Sequence, residues 1–462
     1  MPNQGHALRT MAASTTFDDL MSHGMLGGAG IALARISVRT WLVRGFLALI
    51  FLMSFRTFQA FPGMLYVQEL WFVFCWLAFV FLYLPWKTRM GLRFSAFEGY
   101  VLVLMFAALF LPAWRAWREF GQPISYGILR GRGVALFGVG LLLVNALRKR
   151  MVQLAYIEAA LLFLAWGTFA LYSLMRLTLN PAGFVAYGAG FVATASSAGD
   201  GSFKLPPYFT LYGAIYYALR GIRTRRIKFY IAAAILFLVG AVGLTERGLT
   251  ICFGMTLLFF LYRWRRPGDF AIAAGKFLCI AAVVIAMAWI VSPTLMSNRV
   301  AMFSDAFTVV FTGSNVEDPS ANARLLESAL ALPYIQEHPL LGNGAISSQW
   351  RGGSQGAVGG YFYEDDIGVI GVLFSYGALG LLMFAWQYRF VLSSASKLKT
   401  ILHTPLLDAT KGFVLFTALI SVTTGFCVWN AEVTLFFVAL LTGIVQQMQL
   451  TNESAHTTLS VS

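Results

Sequence analysis

Charged residues are scarce in this chain. Asp, Glu, Lys and Arg make up 12% of its 462 residues, roughly half the share of a soluble globular protein. That excludes a solvated surface over most of the molecule. Cysteine is scarce too. Cys75, Cys252, Cys279 and Cys427 all fall in apolar segments without metal-ligand spacing, so they read as small buried hydrophobes and exclude a disulfide framework or a zinc site. The sequence has no Walker A motif, no GxGxxG after a strand, no HExxH, no paired CxxC and no DxD-type metal motif. It has no internal repeat and no low-complexity tract beyond the Gly-rich stretch 352–360. Without a nucleotide-binding domain, and with neither a cofactor nor a metal implied, any chemistry draws on energy already stored in a substrate. The charge that remains is unbalanced, at +14, yet it does not point to nucleic acid. Lys and Arg sit mainly in short loops between apolar runs, the pattern of a cytoplasmic positive-inside bias.

What the chain does have is apolar length. Hydrophobic residues make up 58% of it, and the runs set the class as an all-α polytopic membrane protein. About twelve transmembrane helices are expected, at 43–60, 68–85, 96–112, 134–147, 153–174, 207–219, 229–244, 248–262, 271–291, 367–388, 412–428 and 433–448. Several fall short of twenty residues, which leaves room for broken or re-entrant helices. The layout is a cytoplasmic N-terminal tail (1–40, with no cleavable signal peptide), nine spans (41–291), a large, partly helical periplasmic loop (292–366), three spans (367–448) and a cytoplasmic tail (449–462). Arg35, Arg39 and Arg44 place the N-terminus in the cytoplasm, and alternation gathers most of the 34 Lys and Arg on that side. The segment 114–133 breaks the rule, falling outside while carrying Arg115, Arg118, Arg130 and Arg132. Either a span ends elsewhere and Trp114 and Trp117 are interfacial anchors, or this is a basic lip for an anionic lipid headgroup or an acceptor. A second outer loop, 175–206, is polar and carries no recognisable chemistry.

The candidates for chemistry gather late in the chain. Arg247, in GLTERGLT, sits between two apolar runs near the outer surface. It reads either as the partner of Glu246 in a hairpin turn or as a phosphate-binding fork. The loop 292–366 holds Arg299, Arg324 and Arg351 against eight acids. Within it, Ala323 to Glu337 has helical composition with Asn322 as N-cap, and Leu326, Leu330 and Tyr334 form one apolar face. Arg324 would then stand at the helix start, where free N–H groups favour an anion. His338-Pro339-Leu340-Leu341-Gly342-Asn343-Gly344 stops that helix in a turn. His338 reads as a cap, as a packing residue or as a contact to the acceptor. Glu364, Asp365 and Asp366 directly precede a span. They suit either helix capping or a general base whose pKa is raised by its neighbours. Beyond them Gly368, Gly371, Gly377 and Gly380 imply close helix packing.

Taken in order, the ERG turn at 246–248, a long loop in which an Arg-initiated helix leads to HPLLGxG, and a polar residue before a span ending GxxG resemble the O-antigen polymerase and O-antigen ligase superfamily of bacterial membrane glycosyltransferases. The resemblance runs from the ERG turn to Gly380 and implies a helical fold of the lipid-linked-sugar glycosyltransferase type in the inner (cytoplasmic) membrane. The implied donor is a polyprenyl-diphosphate-linked oligosaccharide used at the periplasmic face, with a growing glycan or another acceptor as partner. Membrane lipids and a chain-length regulator are further implied partners. Arg247 and Arg324, with Arg299, become the expected diphosphate-binding residues. Ligases of the family carry His-Asn eleven residues before the first glycine of GxxG. Here that position is Asp366-Ile367, which favours a polysaccharide polymerase with Asp366 as base and Asp365 and Glu364 as alternates. The mechanism so implied is inverting and metal-independent. A ligase and a transporter of lipid-linked oligosaccharide are the other readings.

Overall fold

The computed structural model describes residues 38–56, 65–89, 94–179, 193–194, 202–203, 207–243, 247–264, 319–360, 362–397 and 404–461, with isolated helical residues between 272 and 301. The described helices are α1 (Val38–Ser54), α2 (Leu65–Leu77), which passes through a π-helical stretch (Ala78–Tyr83) into α3 (Leu84–Arg89), α4 (Ala96–Phe120), α5 (Ile124–Arg130), α6 (Phe137–Arg148) and α7 (Leu154–Thr178). After a two-residue antiparallel pairing, β1 (Ala193–Thr194) with β2 (Ser202–Phe203), come α8 (Tyr208–Thr224), α9 (Ile227–Gly243), α10 (Arg247–Trp264), α11 (Pro319–Glu337) and α12 (Gly353–Val358). The last helices are α13 (Val369–Ala385), α14 (Gln387–Lys397), α15 (Pro405–Thr424), α16 (Phe426–Trp429) and α17 (Ala431–Val461).

The chain is a helical multi-pass membrane protein. Among the described residues seven helical stretches are long and apolar enough to cross a bilayer: 66–89, 96–120, 124–148, 154–175, 369–394, 405–424 and 431–449. Three more apolar helices, Thr40–Ser54, Ile227–Leu238 and Gly248–Tyr262, are shorter. The expected span 271–291 lies mostly outside the described residues, and the tail expected from 449 continues as helix α17 to Val461. At 1.5 Å per residue the 25-residue α4 is about 37 Å long, more than the roughly 30 Å of bilayer hydrocarbon.

Lipid gives helices no hydrophobic reason to associate, so packing and buried polar contacts must hold them. Large aromatic side chains supply the first. Tyr212 of α8 stacks on Phe437 of α17, Phe413 of α15 meets the same ring at a tilt, and Phe55 lies flat on Phe209 with ring centroids 4.8 Å apart. Glu98 supplies the second at one end of the bundle. It closes a capping box with Ser95 at the start of α4 and accepts from Tyr83 at 2.7 Å, Asn145 at 2.8 Å and Lys87. All four side chains are buried, and each loses its hydration only because the others replace it.

The segment 114–133 is not a loop. α4 runs on to Phe120, caps with Gly121 in the left-handed region (φ 73°), turns through Gln122-Pro123 and returns as α5, a 3-10 turn (Gly131–Leu136) and α6. The spans expected at 96–112 and 134–147 are therefore parts of longer helices. Arg115 can continue the helix because its charge is satisfied internally: Nη2 pairs with Glu119 at 2.8 Å and Nε donates to the Gly342 carbonyl at 2.8 Å.

That last contact reaches the feature that positions everything at this end. α13 is broken at Gly377 (φ 65°, ψ −174°), a backbone open essentially only to glycine. A helix break leaves carbonyls on one side and amides on the other without partners. The HPLLGNG turn supplies both. Asn343 N donates to Phe374 O at 2.7 Å and Gly344 N to Ser375 O at 3.0 Å, while Ala378 N and Leu379 N donate to the carbonyls of Pro339 and Leu340 at 2.8 and 3.0 Å. A Cβ on Gly342 would lie 2.6 Å from Gly377 N, and one on Gly344 would strike the backbone of α4 at Ala116. Gly377 therefore makes a break, where its spacing suggested helix packing. Gly371 packs under the Glu364 carbonyl of its own loop.

α11 also differs from expectation at its start. It begins at Pro319, whose fixed φ suits a first turn, so Asn322 is not its cap and Arg324 lies within the helix. Its buried face is Glu327 and Ala331 with Tyr334 beside them, and Leu326 points outward at 55% exposure. Leu330 and Tyr334 do pack against the surface of Phe362, Ile367 and Phe374, as their spacing suggested, and only Leu326 departs from that face.

The interlock predicts that Gly377→Ala destabilises the folded protein by about 2 kcal/mol or more, read as a lowered midpoint of thermal unfolding in detergent. An unchanged midpoint would show that the break is not held by this turn.

Candidate functional site

The hairpin between α4 and α5 clamps the chain that leaves the interlock. Gln122, buried, donates to the Ala345 carbonyl at 3.3 Å and accepts from Ser347 N at 2.7 Å, and Arg130 Nη1 donates to the Ile346 carbonyl. This fixes the arginine's position from behind. Its other nitrogen, Nη2, pairs with Glu364 at 2.6 Å and with Asp365 at 3.3 Å. Two of the three adjacent acids thus meet an arginine from the segment that sequence placed in a separate loop.

The three carboxylates have different surroundings. Glu364 is buried, with its second oxygen accepting from Ser354 Oγ at the start of α12. Asp365 keeps 60% of its side chain exposed. Despite that open face, desolvation by the surrounding protein raises its pKa from 3.8 to about 6. Arg130 and Arg56 oppose the rise, and Glu364 and Asp366 add to it. Asp366 is exposed, and among the described residues its side chain makes no hydrogen bond or ion pair.

Arg56, beyond the C-terminus of α1, is the second cation here. It has a positive φ of 55° and holds Glu432, buried at the start of α17, through contacts of 2.9 and 3.0 Å. Its guanidinium sits against Gly133, just past Arg130, and acts electrostatically on Asp365 and on Tyr376 of α13. Tyr376 in turn lies within the fields of Arg130, Asp365 and Glu364. Arg130, backed by the buried Glu364, therefore touches the exposed Asp365, while Arg56, backed by the buried Glu432, acts on Asp365 and Tyr376 through its field. Such a site can take an anion on its guanidinium groups and a proton on its carboxylate.

The other sequence candidates lie elsewhere or are engaged. Arg132 forms a fork on Glu69 of α2, with Nε at 2.6 Å from one carboxylate oxygen. His338 Nε2 meets Glu119 at 2.8 Å, the same carboxylate that holds Arg115. It thus fastens the turn to α4, which matches its packing reading. Arg324 is exposed on α11. Arg247 opens α10, and its side chain lies outside the described residues, as do Arg299 and Glu246. Among the described residues no group of three or more His, Cys, Asp or Glu side chains is arranged to hold a metal ion.

Sequence reasoning missed Arg56, Glu432, Tyr376 and Glu327. Arg56 fell inside an expected span, and Glu432, its partner, is 376 residues away. Glu327 did leave a signal, since Glu327, Ala331 and Tyr334 share one helix face. Its side chain is fully buried on α11, and among the described residues no side chain donates to it. Burial raises its pKa from 4.5 to about 7, with Asp366 pushing the same way and the Tyr363 N–H and Arg324 opposing. A folded-state pKa above the unfolded one means that proton binding stabilises the docked helix. That contribution is complete below about pH 4.5 and is lost as pH rises through about 7. Glu327→Gln should therefore melt higher than wild type at pH 8, with the difference vanishing near pH 4.5. Parallel melting curves across that range would show that Glu327 is not protonated on docking.

No protein-family model and no curated protein sequence matches the chain.

Proposed function

We propose that this protein is a polysaccharide polymerase that joins polyprenyl-diphosphate-linked repeat units at the periplasmic face of a bacterial inner membrane. The observation that carries the proposal is the cluster at one end of the bundle: Arg130, anchored by the buried Glu364, on the exposed Asp365, with Arg56, anchored by the buried Glu432, adding its field. The orientation follows from charge. α6 starts near this cluster and ends at Arg148-Lys149-Arg150, so the basic loop that marks the cytoplasm is at its other end. Twelve spans and cytoplasmic termini complete this topology.

In the reaction an acceptor hydroxyl attacks the anomeric carbon of the donor, and polyprenyl diphosphate leaves with inversion. The costly charge is the one that develops on the leaving diphosphate. Guanidinium groups held in place before the reaction stabilise it without reorganising, worth about 3–4 kcal/mol for one well-placed donor. Arg130 and Arg56 are assigned this role, and the resemblance adds Arg247, Arg324 and Arg299. The base must reach solvent and hold a proton only weakly at neutral pH. Asp365 meets both needs, with its pKa near 6. Glu364 is too enclosed to meet a sugar hydroxyl, and Asp366 serves better as the neighbour that raises Asp365. No step calls for a metal.

Cells lacking the native protein and complemented with Arg130→Lys, Arg56→Lys or Asp365→Asn test this reading, with membrane expression confirmed for each. Lysine keeps the charge and loses the fork. Polymer should fall by about a hundredfold while single lipid-linked repeats accumulate. Full-length polymer from all three variants would remove the site. Polymer that is complete but stays on its carrier lipid would make the protein a ligase.

A further inference from the structure

Arg130 has two carboxylate partners in this structure, and they are not equivalent. The ion pair with Glu364 is the closer contact, at 2.6 Å, though the hydrogen bond from that nitrogen goes to Asp365, and the Glu364 side chain is 2% exposed. Ser354 Oγ holds its other oxygen, and Gly371 packs under its backbone with no room for a side chain. Glu364 cannot leave. The bond from the same nitrogen to Asp365 is 3.3 Å, and Asp365 is 60% exposed. One guanidinium nitrogen thus carries a fixed internal contact and an open, long one. An anion arriving from solvent can displace only the second.

We infer that Asp365 occupies the place on Arg130 that a phosphate oxygen of the donor takes, so that donor binding is what releases Asp365 to act as base. This rests on the polymerase reading and adds an order of events to it. Before binding, Arg130 on α5 and Arg56 at the end of α1 both favour the charged carboxylate and hold its proton affinity down. Glu364 and Asp366 of its own loop push the other way, and Tyr376 on α13 faces the same group. When a phosphate oxygen takes the Arg130 contact, the attraction is spent on the phosphate and the repulsion from Glu364 and Asp366 remains. Asp365 then binds a proton more readily, at the moment one must be accepted. The acceptor oxygen forms its bond to the anomeric carbon, and the bond from that carbon to the diphosphate oxygen breaks with its electron pair on the diphosphate. The hydroxyl proton passes to Asp365 Oδ and thence to water. The arrangement also guards the donor, since the base is not free until the leaving group is held.

The test uses purified full-length protein in lipid nanodiscs, with sugar-free undecaprenyl diphosphate as the binding probe and polymer formation as the second readout. Asp365→Asn should bind the probe about two- to fivefold tighter than wild type, the scale of one exposed ion pair. Its turnover should fall by about a hundredfold or more. A residue with a merely structural role would not tighten binding. Asp366→Asn removes the same charge one position on and controls for net charge. The exchange predicts a clearly smaller gain there, and equal tightening in the two variants would overturn it. Probe binding by Asp365→Asn that is unchanged or weaker would also overturn it, leaving the polymerase reading intact if wild type binds. Wild type that binds no probe would overturn both.

Discussion

Four backbone hydrogen bonds between the HPLLGNG turn and the broken helix α13 set the geometry at the functional end of this protein. In a bilayer a helix can be interrupted only where protein re-satisfies the freed amides and carbonyls. Here the turn that ends α11 does this, and the break in turn holds the turn. Glycine is required on both sides because Gly342 and Gly377 meet backbone to backbone. The consequence is positional. Chain leaving the turn is laid against α4 and α5, where Gln122 and Arg130 grip successive carbonyls. Chain entering α13 brings Glu364 and Asp365 onto the same arginine.

Two kinds of buried charge result, and they divide the work. Glu364 and Glu432 are enclosed and act as anchors: each fixes an arginine whose own position would otherwise fluctuate. Breaking such a pair would leave an uncompensated buried charge, so each arginine is strongly held by its acid. Asp365 lies outside the anchors and, like Asp366, is open to solvent. At the far end of the bundle, Lys87, Glu98, Asn145 and Tyr83 are closed on one another.

Much of this was legible in the sequence, for reasons that differ by residue. The long helices follow from apolar length, and the stop at Pro339 and the turn at Gly342 and Gly344 follow from backbone rules that act locally. The three acids were visible as a cluster, but their separate roles were not, because burial of Glu364 depends on Ser354 and Gly371 and not on its neighbours in sequence. For segment 114–133 the alternative of a span ending elsewhere holds, since α4 runs on to Phe120, and its arginines had masked that extension. Trp and Arg mark interfaces when solvated, whereas Arg115 here is neutralised by Glu119 and by a carbonyl of the distant turn. The break at Gly377 was read as close packing since both demand glycine. Arg56 carried no local pattern because its partner lies near the other end of the chain. Tertiary pairing between charges is where one-dimensional reasoning stopped.

The central claim is that this one chain makes the glycosidic bond, using the energy of the diphosphate linkage and the arginine–carboxylate cluster. Its most direct test places purified protein in lipid with one defined polyprenyl-diphosphate-linked repeat unit and no other protein. The account predicts release of polyprenyl diphosphate in step with products lengthened by whole repeats, joined with inverted anomeric configuration. A donor that stays intact, or that crosses the bilayer unaltered, would contradict it.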